Sequence, residues 1–389
     1  MQSDEPVSDR ASEPAPPPRS ALLWPSLLGV GIVAMAPFWG SVALPSLEGA
    51  LGREGLRSAL TVLVLAAGVA LLVLAVRRIR ERRAMRFGLL AVALSLVVLQ
   101  ALTTGRDEAA VERVHFVLYG GVALLLVRAL SRSFGLLSLP LAMVGAAAVG
   151  IADEWVQWLT PVRVGDVFDV GLNLYAAFCG ALVGAAIHPP RRRLSQAAAR
   201  RARRLLAVAT ALFVLTLAGF LHCAHLGHRI VDPAVGSFNS FFTADQLVRL
   251  NERRAEEWGG LVPGPLRALE VEDYFRTEAA WHVLERNRAR NRSPVDHEVA
   301  WREDRILELY YPTFRELRRA DGTPHYRIPD AEWQELAARF PDREPGYVSG
   351  ADNGRIWIRP TPPQLWTVAV ALALTLLLYA RSQRTGAAE

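Results

Sequence analysis

The sequence predicts an all-α protein: a polytopic helical membrane bundle of about eight transmembrane helices, with a mostly helical extracytoplasmic domain between the last two. Three observations predict this class. Of the 389 residues, 51% are hydrophobic, and this share exceeds what a soluble domain of ordinary composition carries. The apolar residues gather in eight runs. The basic residues are densest in two short loops between those runs.

Each apolar run is long enough, or nearly so, to cross a bilayer as a helix. A transmembrane helix needs roughly 20 apolar residues to span about 30 Å of hydrocarbon. The runs cover residues 22–42, 58–76, 87–102, 111–130, 134–151, 170–187, 205–221 and 365–380. The third run is short and carries Gln100, but without it the two arginine-rich loops would lie on opposite sides of the membrane.

Arginine placement predicts the orientation of the bundle. All 44 basic residues are arginine, and they are densest in the loops 77–86 and 189–204. Such loops stay on the cytoplasmic side of the membrane, so both termini are expected inside. Residues 40–57, 103–110, 152–169 and 222–364 are then expected outside. Because membrane topology explains the excess positive charge, nucleic acid is not predicted as a partner.

The predicted domain organisation follows from these runs. It comprises a disordered cytoplasmic tail (1–20), two transmembrane helices (21–84), a four-helix membrane domain (85–188), a basic cytoplasmic loop (189–204), a transmembrane helix (205–221), an extracytoplasmic domain (222–364), a final transmembrane helix (365–380) and a cytoplasmic tail (381–389). Small residues should mediate close helix packing in the membrane, and they are Gly120, Gly121, Gly145, Gly150, Gly180 and Gly184.

Helix starts are recognisable in the extracytoplasmic segment. Thr243 with Gln246 forms a capping box, which predicts a helix through residue 258. Ser293 before a proline and Asp330 predict two more starts, and Pro312 should interrupt the helix that follows the first of these.

A small hairpin is also predicted in this segment, over residues 347–358. Asp352, Asn353 and Gly354 form a typical turn sequence at its centre, and such turns connect paired strands.

Polar side chains concentrate at three predicted outer helix ends. Ionisable residues near apolar runs are costly in lipid, so they are functional candidates. They form three groups: Glu112, Arg113, His115 and Tyr119; Asp153, Glu154 and Gln157; Arg163, Asp166, Asp169 and Asn173. All three groups are expected at one membrane level on the outer side.

These residues resemble the VanZ-like family of bacterial membrane proteins. The resemblance rests on the order and spacing of Glu112-Arg113-Val114-His115-Phe116, Tyr119, Gly120, Asp153-Glu154, Gln157, Pro161, Arg163, Asp169 and Asn173. It covers about residues 85–188. The family is named for a protein linked to teicoplanin resistance, so the resemblance implies a location in the bacterial inner membrane and a role in the cell envelope.

The first functional hypothesis is a single pocket that binds the polar head of a lipid or of a lipid-linked envelope intermediate. The ten residues expected to line it are Glu112, His115, Tyr119, Asp153, Glu154, Gln157, Arg163, Asp166, Asp169 and Asn173. Arg163 could hold a phosphate or a carboxylate, or it could pair with a neighbouring aspartate. The carboxylates could equally be interfacial charges that end their helices. For His115, a hydrogen bond to Asp153 or Glu154 is the expected structural role.

An enzymatic function is the second hypothesis. His115 with Asp153 or Glu154 could activate water or a hydroxyl group for hydrolysis or transfer on a lipid. The sequence supplies no diagnostic nucleophile and no phosphate-binding glycine loop, and no cofactor is predicted.

Two further interpretations concern the segment after the seventh run. His222, Cys223, His225 and His228 are metal-ligand types, but their spacing matches no standard zinc motif, so no metal site is predicted. The extracytoplasmic domain could instead recruit an envelope protein as a membrane-anchored scaffold. Its aromatic residues could make such contacts or could form its core, and they are Trp281, Trp301, Tyr310 and Tyr311.

Overall fold

A computed structural model describes residues 31, 36–103, 109–159, 165–190, 194–264, 271–339 and 346–385. The described part of the chain is mostly helical, with 76% of its residues in helices and few strands. The predicted tail 1–20 and most of the first apolar run lie outside these ranges. Seven long helices are named here: α1 (Ala36–Arg78), α2 (Arg83–Thr103), α3 (Ala109–Phe134), α4 (Ser138–Trp158), α5 (Val167–Ile187), α6 (Gln196–Ala224) and α12 (Pro362–Thr385).

Six helical stretches of the described chain are long and apolar enough to cross a membrane. They are Glu54–Arg78, Arg83–Thr103, Val114–Trp158, Val167–Ile187, Gln196–Ala224 and Pro362–Arg384. Six of the eight predicted runs lie within these stretches, the run 111–130 lies there except for its first three residues, and the first run does not. Large apolar side chains point outward on the first of these helices, where Val62, Leu65 and Val69 are all more than 60% exposed. A continuous apolar surface of this kind suits lipid rather than water, as expected of a membrane protein.

The stretch Val114–Trp158 covers most of the predicted run 111–130 and all of the run 134–151, with a tight turn between the helices that carry them. The 3₁₀ turn Gly135–Leu137 separates α3 from α4, and Gly135 has a positive φ of 53°. On either side, Val122 and Ala123 of α3 share a buried cluster with Ala146 of α4. Helices that pack together on both sides of a three-residue turn are antiparallel neighbours.

Chain contacts divide the protein into two compact units. The first unit contains the chain up to Gly150, Gly171–Ala209 and the residues from Ser382 onward; the second contains Ile151–Val170 and Thr210–Arg381.

Close glycine packing holds the first unit together. A Cβ added to Gly180 would lie 2.1 Å from the Gly120 carbonyl oxygen, and one added to Gly184 would lie 2.8 Å from Val127. Additions at Gly145 and Gly150 would also meet neighbours within 3 Å. The predicted packing role is therefore confirmed for these residues and Gly120. It is wrong for Gly121, which has open space beside its Cα.

Residues 225–361 of the second unit, here called the 225–361 segment, carry five more helices and a two-stranded sheet. The helices are α7 (Ala244–Trp258), α8 (Val271–Asn291), α9 (His297–Tyr310), α10 (Pro312–Arg315) and α11 (Asp330–Arg339). The capping box of Thr243 and Gln246 is present at the start of α7. The break at Pro312 and the start at Asp330 are also confirmed, whereas the helix expected from Ser293 begins later, with Asp296 as its N-cap.

The sheet lies where no hairpin was predicted. Strand β1 (His228–Asp232) pairs antiparallel with β2 (Gly236–Ser240), with Ile230 opposite Phe238. The hairpin predicted over 347–358 is wrong: its two arms bridge to other segments, Val348 to Ser237 and Trp357 to Leu226. Its central turn forms, but the pairing partners are distant in sequence. The fold of the described residues is therefore mostly helical, with one small β-hairpin.

The core of the 225–361 segment is aromatic and apolar. Trp301 and Tyr311 are at most 1% exposed, and Tyr310 packs against the same core cluster as Tyr311. Phe238, Phe275 and Leu247 complete its centre. These aromatic residues are therefore core residues, as their helical spacing indicated.

Candidate functional site

The structure places the predicted site residues in two groups, one in each compact unit, and leaves two of the ten without a described side chain. Arg163 lies outside the described residues, and Glu112 is described only as part of the α3 helix. The two groups are described separately below. The single pocket formed by all ten residues stays a prediction.

The group in the second unit lies where α4 ends and α5 begins; Asp153, Glu154, Gln157 and Asp166 are here called the acidic corner. The helical period brings Asp153, Glu154 and Gln157 to one face of α4. The Gln157 Nε2 group donates to Asp153 Oδ2 and to Glu154 Oε1, each at 3.1 Å. The backbone N–H of Asp166 donates to Glu154 Oε2 at 3.0 Å. Both Glu154 oxygens thus accept from neutral donors.

Glu154 is the most deeply placed carboxylate of the acidic corner. Its side chain is 0% exposed, and Asp153 and Gln157 are also buried. The charges of Asp153, Asp166 and Asp169 act on it, and among the described residues no arginine or histidine pairs with it. Asp169 lies in the first turn of α5. The corner therefore concentrates carboxyl groups without a described basic partner for Glu154.

An aromatic wall flanks the acidic corner. The ring centroids of Trp155 and Trp158 are 5.4 Å apart, and those of Trp158 and Tyr274 are 6.3 Å apart. The buried Trp158 Nε1 has no hydrogen-bond partner among the described residues. Gly165 packs so closely on α4 that an added Cβ would lie 2.6 Å from the Glu154 carbonyl oxygen. The start of α5 is thereby pressed against the end of α4.

His225, just beyond α6, forms hydrogen bonds next to the acidic corner. Its Nε2 accepts the backbone N–H of Val167 at 3.0 Å, and its Nδ1 lies 3.0 Å from the Arg355 carbonyl oxygen. Because Nε2 accepts, the ring proton is on Nδ1 and the imidazole is neutral. Burial lowers the pKa of His225, which favours the same neutral form. Sequence reasoning missed this role, since both partners are distant along the chain.

The four possible metal ligands near His225 do not form a site. His225 uses both ring nitrogens in hydrogen bonds, His222 packs against Trp366, Cys223 is exposed and His228 begins β1. Over the described ranges, no three His, Cys, Asp or Glu side chains converge as a metal-binding group.

The group in the first unit contains His115, Tyr119 and Asn173. His115 Nδ1 lies 2.6 Å from Asn173 Oδ1, so its structural partner is this amide and not the expected carboxylate. Asn173 is fully buried, Tyr119 is 1% exposed, and the His115 and Tyr119 rings are 5.7 Å apart. Gly150 makes room for Asn173, because a Cβ there would lie 2.8 Å from the Asn173 Cβ. The contacts with Asn173 and Tyr119 therefore fix the orientation of the His115 imidazole ring.

No protein-family model, no curated protein and no solved structure matches this chain. The functional argument therefore depends on the residues of the site themselves.

Proposed function

We propose that this chain is a VanZ-like integral membrane protein of the bacterial cell envelope, and that its acidic corner binds the polar head of a lipid or of a lipid-linked envelope intermediate. The eight-helix topology belongs to this proposal, with both termini in the cytoplasm and residues 222–364 outside the inner membrane. So does a link to glycopeptide-type antibiotic resistance. The support is the resemblance of residues 85–188 to that family, together with the two arginine-rich loops.

The observation that carries the binding proposal is the burial of Glu154 without a basic partner among the described residues. An ionised carboxylate in this position costs several kcal/mol unless an opposite charge or strong donors compensate it. Its two described donors are an amide and a backbone N–H. A ligand that brings hydrogen-bond donors would offset the remaining cost.

The carboxyl groups of the acidic corner favour lipid head groups that carry hydrogen-bond donors. Carboxylate oxygens accept hydrogen bonds and attract positive charge, so hydroxyl and ammonium groups fit this site. The indole N–H of Trp158, which has no hydrogen-bond partner among the described residues, adds one donor for an ester or phosphate oxygen of the same ligand. The aromatic wall suits the boundary between head group and acyl chains, where tryptophan and tyrosine are enriched.

Native mass spectrometry tests this function with a defined pair of probes. The purified protein is given equal amounts of phosphatidylethanolamine, whose ammonium donates, and phosphatidylcholine, whose quaternary ammonium does not. We expect the wild type to retain phosphatidylethanolamine preferentially. Glu154→Gln should reduce that preference about tenfold, since a hydrogen bond to a charged group contributes roughly 1.5–3 kcal/mol.

A matched control variant shows whether an effect of Glu154→Gln is specific to the acidic corner or results from any loss of a carboxylate. Glu252 is an exposed residue of α7, so Glu252→Gln makes the same chemical change away from the acidic corner and should keep the preference. Equal retention of both lipids by the wild type, or an unchanged preference in Glu154→Gln, contradicts the proposed function.

A second candidate function is supported by the hydrogen bond between His115 and Asn173. If Nδ1 donates to the amide oxygen, Nε2 is left as a base, which suits hydrolysis or group transfer on a lipid. Turnover of labelled envelope lipids by the wild type, abolished in His115→Gln, would support it. No turnover by the wild type would exclude it for those substrates.

A further inference from the structure

The ends of four membrane-length helices meet at an arginine-rich surface of the first unit. Ala75 and Ile79, at the end of α1, share a buried cluster with Ile187, the last residue of α5. Arg86, near the start of α2, is 7% exposed and reaches the same place. Its Nε donates to the Ala186 carbonyl oxygen at 2.6 Å, and its Nη2 donates to that of Ile187 at 3.1 Å.

The end of α3 belongs to the same surface. Val127 of α3 packs against Gly184 of α5, which brings Arg128 beside the end of α5. The charges of Arg128, Arg78, Arg86 and Arg132 all act on His188, and with burial they lower its pKa to about 4. The four arginines and His188 are here called the arginine cluster.

Negative charge is scarce around the arginine cluster. Residues 77–90, 125–140 and 183–190 contain one carboxylate, Glu81, which is exposed. Within the described part of the chain, Glu81 makes no ion pair, and neither does Arg78, Arg128 or Arg132. Arg128 and Arg132 are also four residues apart on α3, a spacing at which like charges repel each other. Among the described residues, this surface therefore has no paired counter-charge.

We propose that the arginine cluster binds the phosphate of an anionic phospholipid. It lies where the apolar spans of α1, α2, α3 and α5 end, which is the level of lipid head groups. Guanidinium groups bind phosphate oxygens through paired N–H donors, and basic pockets between transmembrane helices bind anionic head groups. Arg86 is committed to the carbonyl groups of α5, so Arg78, Arg128 and Arg132 are the residues free to contact the lipid. The proposal is independent of the acidic corner.

The test compares two double variants with the same change of charge. Arg128→Gln with Arg132→Gln removes two arginines from the cluster. Arg80→Gln with Arg83→Gln removes two exposed arginines outside the cluster. Retention of phosphatidylglycerol over phosphatidylcholine is measured by native mass spectrometry of the full chain. We expect the first double variant to lose about tenfold in preference and the second to resemble the wild type.

A second experiment, thermal unfolding in detergent, tests whether the ligand of the cluster is a lipid or a soluble anion. Phosphatidylglycerol should raise the melting temperature of the wild type, and inorganic phosphate alone should not. Equal stabilisation by inorganic phosphate, or equal loss of lipid preference in both double variants, overturns the proposal. In that case the arginines act only as charges at helix ends and in topological loops. The phosphatidylethanolamine preference assigned to Glu154 should be unchanged in every arginine variant.

Discussion

The two places where this protein buries carboxylates differ in their donors. In the 225–361 segment, Asp304 accepts from Arg286 at 2.5 Å and from Arg315 at 2.8 Å, and it is 0% exposed. Glu303, beside it, accepts from His282, Tyr347 and Ser349. In the acidic corner, Glu154 is buried as deeply, but its donors among the described residues are an amide and a backbone N–H.

This difference distinguishes a structural carboxylate from a ligand-binding one. A buried charge that is fully paired holds the fold, and removal of one partner leaves the other uncompensated. A buried charge with few donors weakens the fold and gains most when a ligand arrives. On this argument, loss of Asp304 should destabilise the protein, whereas the role proposed for Glu154 is ligand binding.

The largest expected effect is at Asp304. Asp304→Asn leaves Arg286 and Arg315 buried without a carboxylate, which should destabilise the 225–361 segment by about 3–5 kcal/mol. Limited proteolysis and tryptophan fluorescence during denaturation measure this. A loss below about 1 kcal/mol would show that the pairing is not structural and would break the comparison.

A pH dependence should follow from Glu278, which lies in the same core. It accepts from Ser240, Tyr311 and the backbone of Phe241, yet complete burial raises its pKa from 4.5 to about 7. Because the folded state binds this proton more tightly, its contribution is complete below pH 4.5 and disappears as the pH rises to about 7. That contribution is about 3 kcal/mol.

Thermal melts of the wild type and Glu278→Gln, taken from pH 4.5 to 8, isolate this contribution. The wild type should lose stability relative to the variant as the pH rises. A difference that grows in the opposite direction would contradict the assignment.

Glu154→Gln should change the free energy of unfolding in the opposite direction to Asp304→Asn. It replaces a buried carboxyl group that no described basic side chain compensates with a neutral amide of similar size, so lipid-free protein should be unchanged or more stable by about 1–2 kcal/mol. Denaturation in lipid-free detergent measures this. A loss as large as that of Asp304→Asn would place both carboxylates in the same structural class.

The smallest effect on the free energy of unfolding is expected at an exposed ion pair. This pair serves as a reference for the buried carboxylates. Glu308 contacts Arg305 at 2.6 Å, with both side chains at least 30% exposed. Glu308→Gln should cost less than about 1 kcal/mol, as measured by the same denaturation experiment. A larger cost would mean that exposure does not separate weak pairs from strong ones in this segment.

Local signals predicted much of the helical fold. Run length alone located the membrane-length helices, because a helix rises 1.5 Å per residue and the hydrocarbon is about 30 Å thick. The capping box at Thr243 and the break at Pro312 are likewise local, since each depends on backbone groups within a few residues.

Long-range pairing explains what the sequence did not predict. The turn at Asp352 was recognised, but its arms bridge to Ser237 and Leu226, and a turn sequence carries no information about such partners. The strand pair 228–240 is short and contains Pro233, so it lacked the usual hairpin signals. His225 is a metal-ligand type beside two other histidines and a cysteine, but its partners in the structure, Val167 and Arg355, are 58 and 130 residues away in sequence.

The acidic corner was predictable in composition but not in geometry. Asp153, Glu154 and Gln157 share a helix face, which the spacing alone indicates. The bond from the Asp166 backbone to Glu154 and the close approach of Gly165 depend on how α5 packs on α4. Likewise, the pairing of His115 with Asn173 depends on how α3 packs against α5.

The most direct test of the central claim is an experimental structure of the protein in nanodiscs that contain phosphatidylethanolamine. The account predicts a lipid head group at the acidic corner, with a donor within about 3 Å of a Glu154 carboxylate oxygen. A map in which Glu154 is instead paired with a basic side chain of the protein, and no head group lies at the corner, would contradict it.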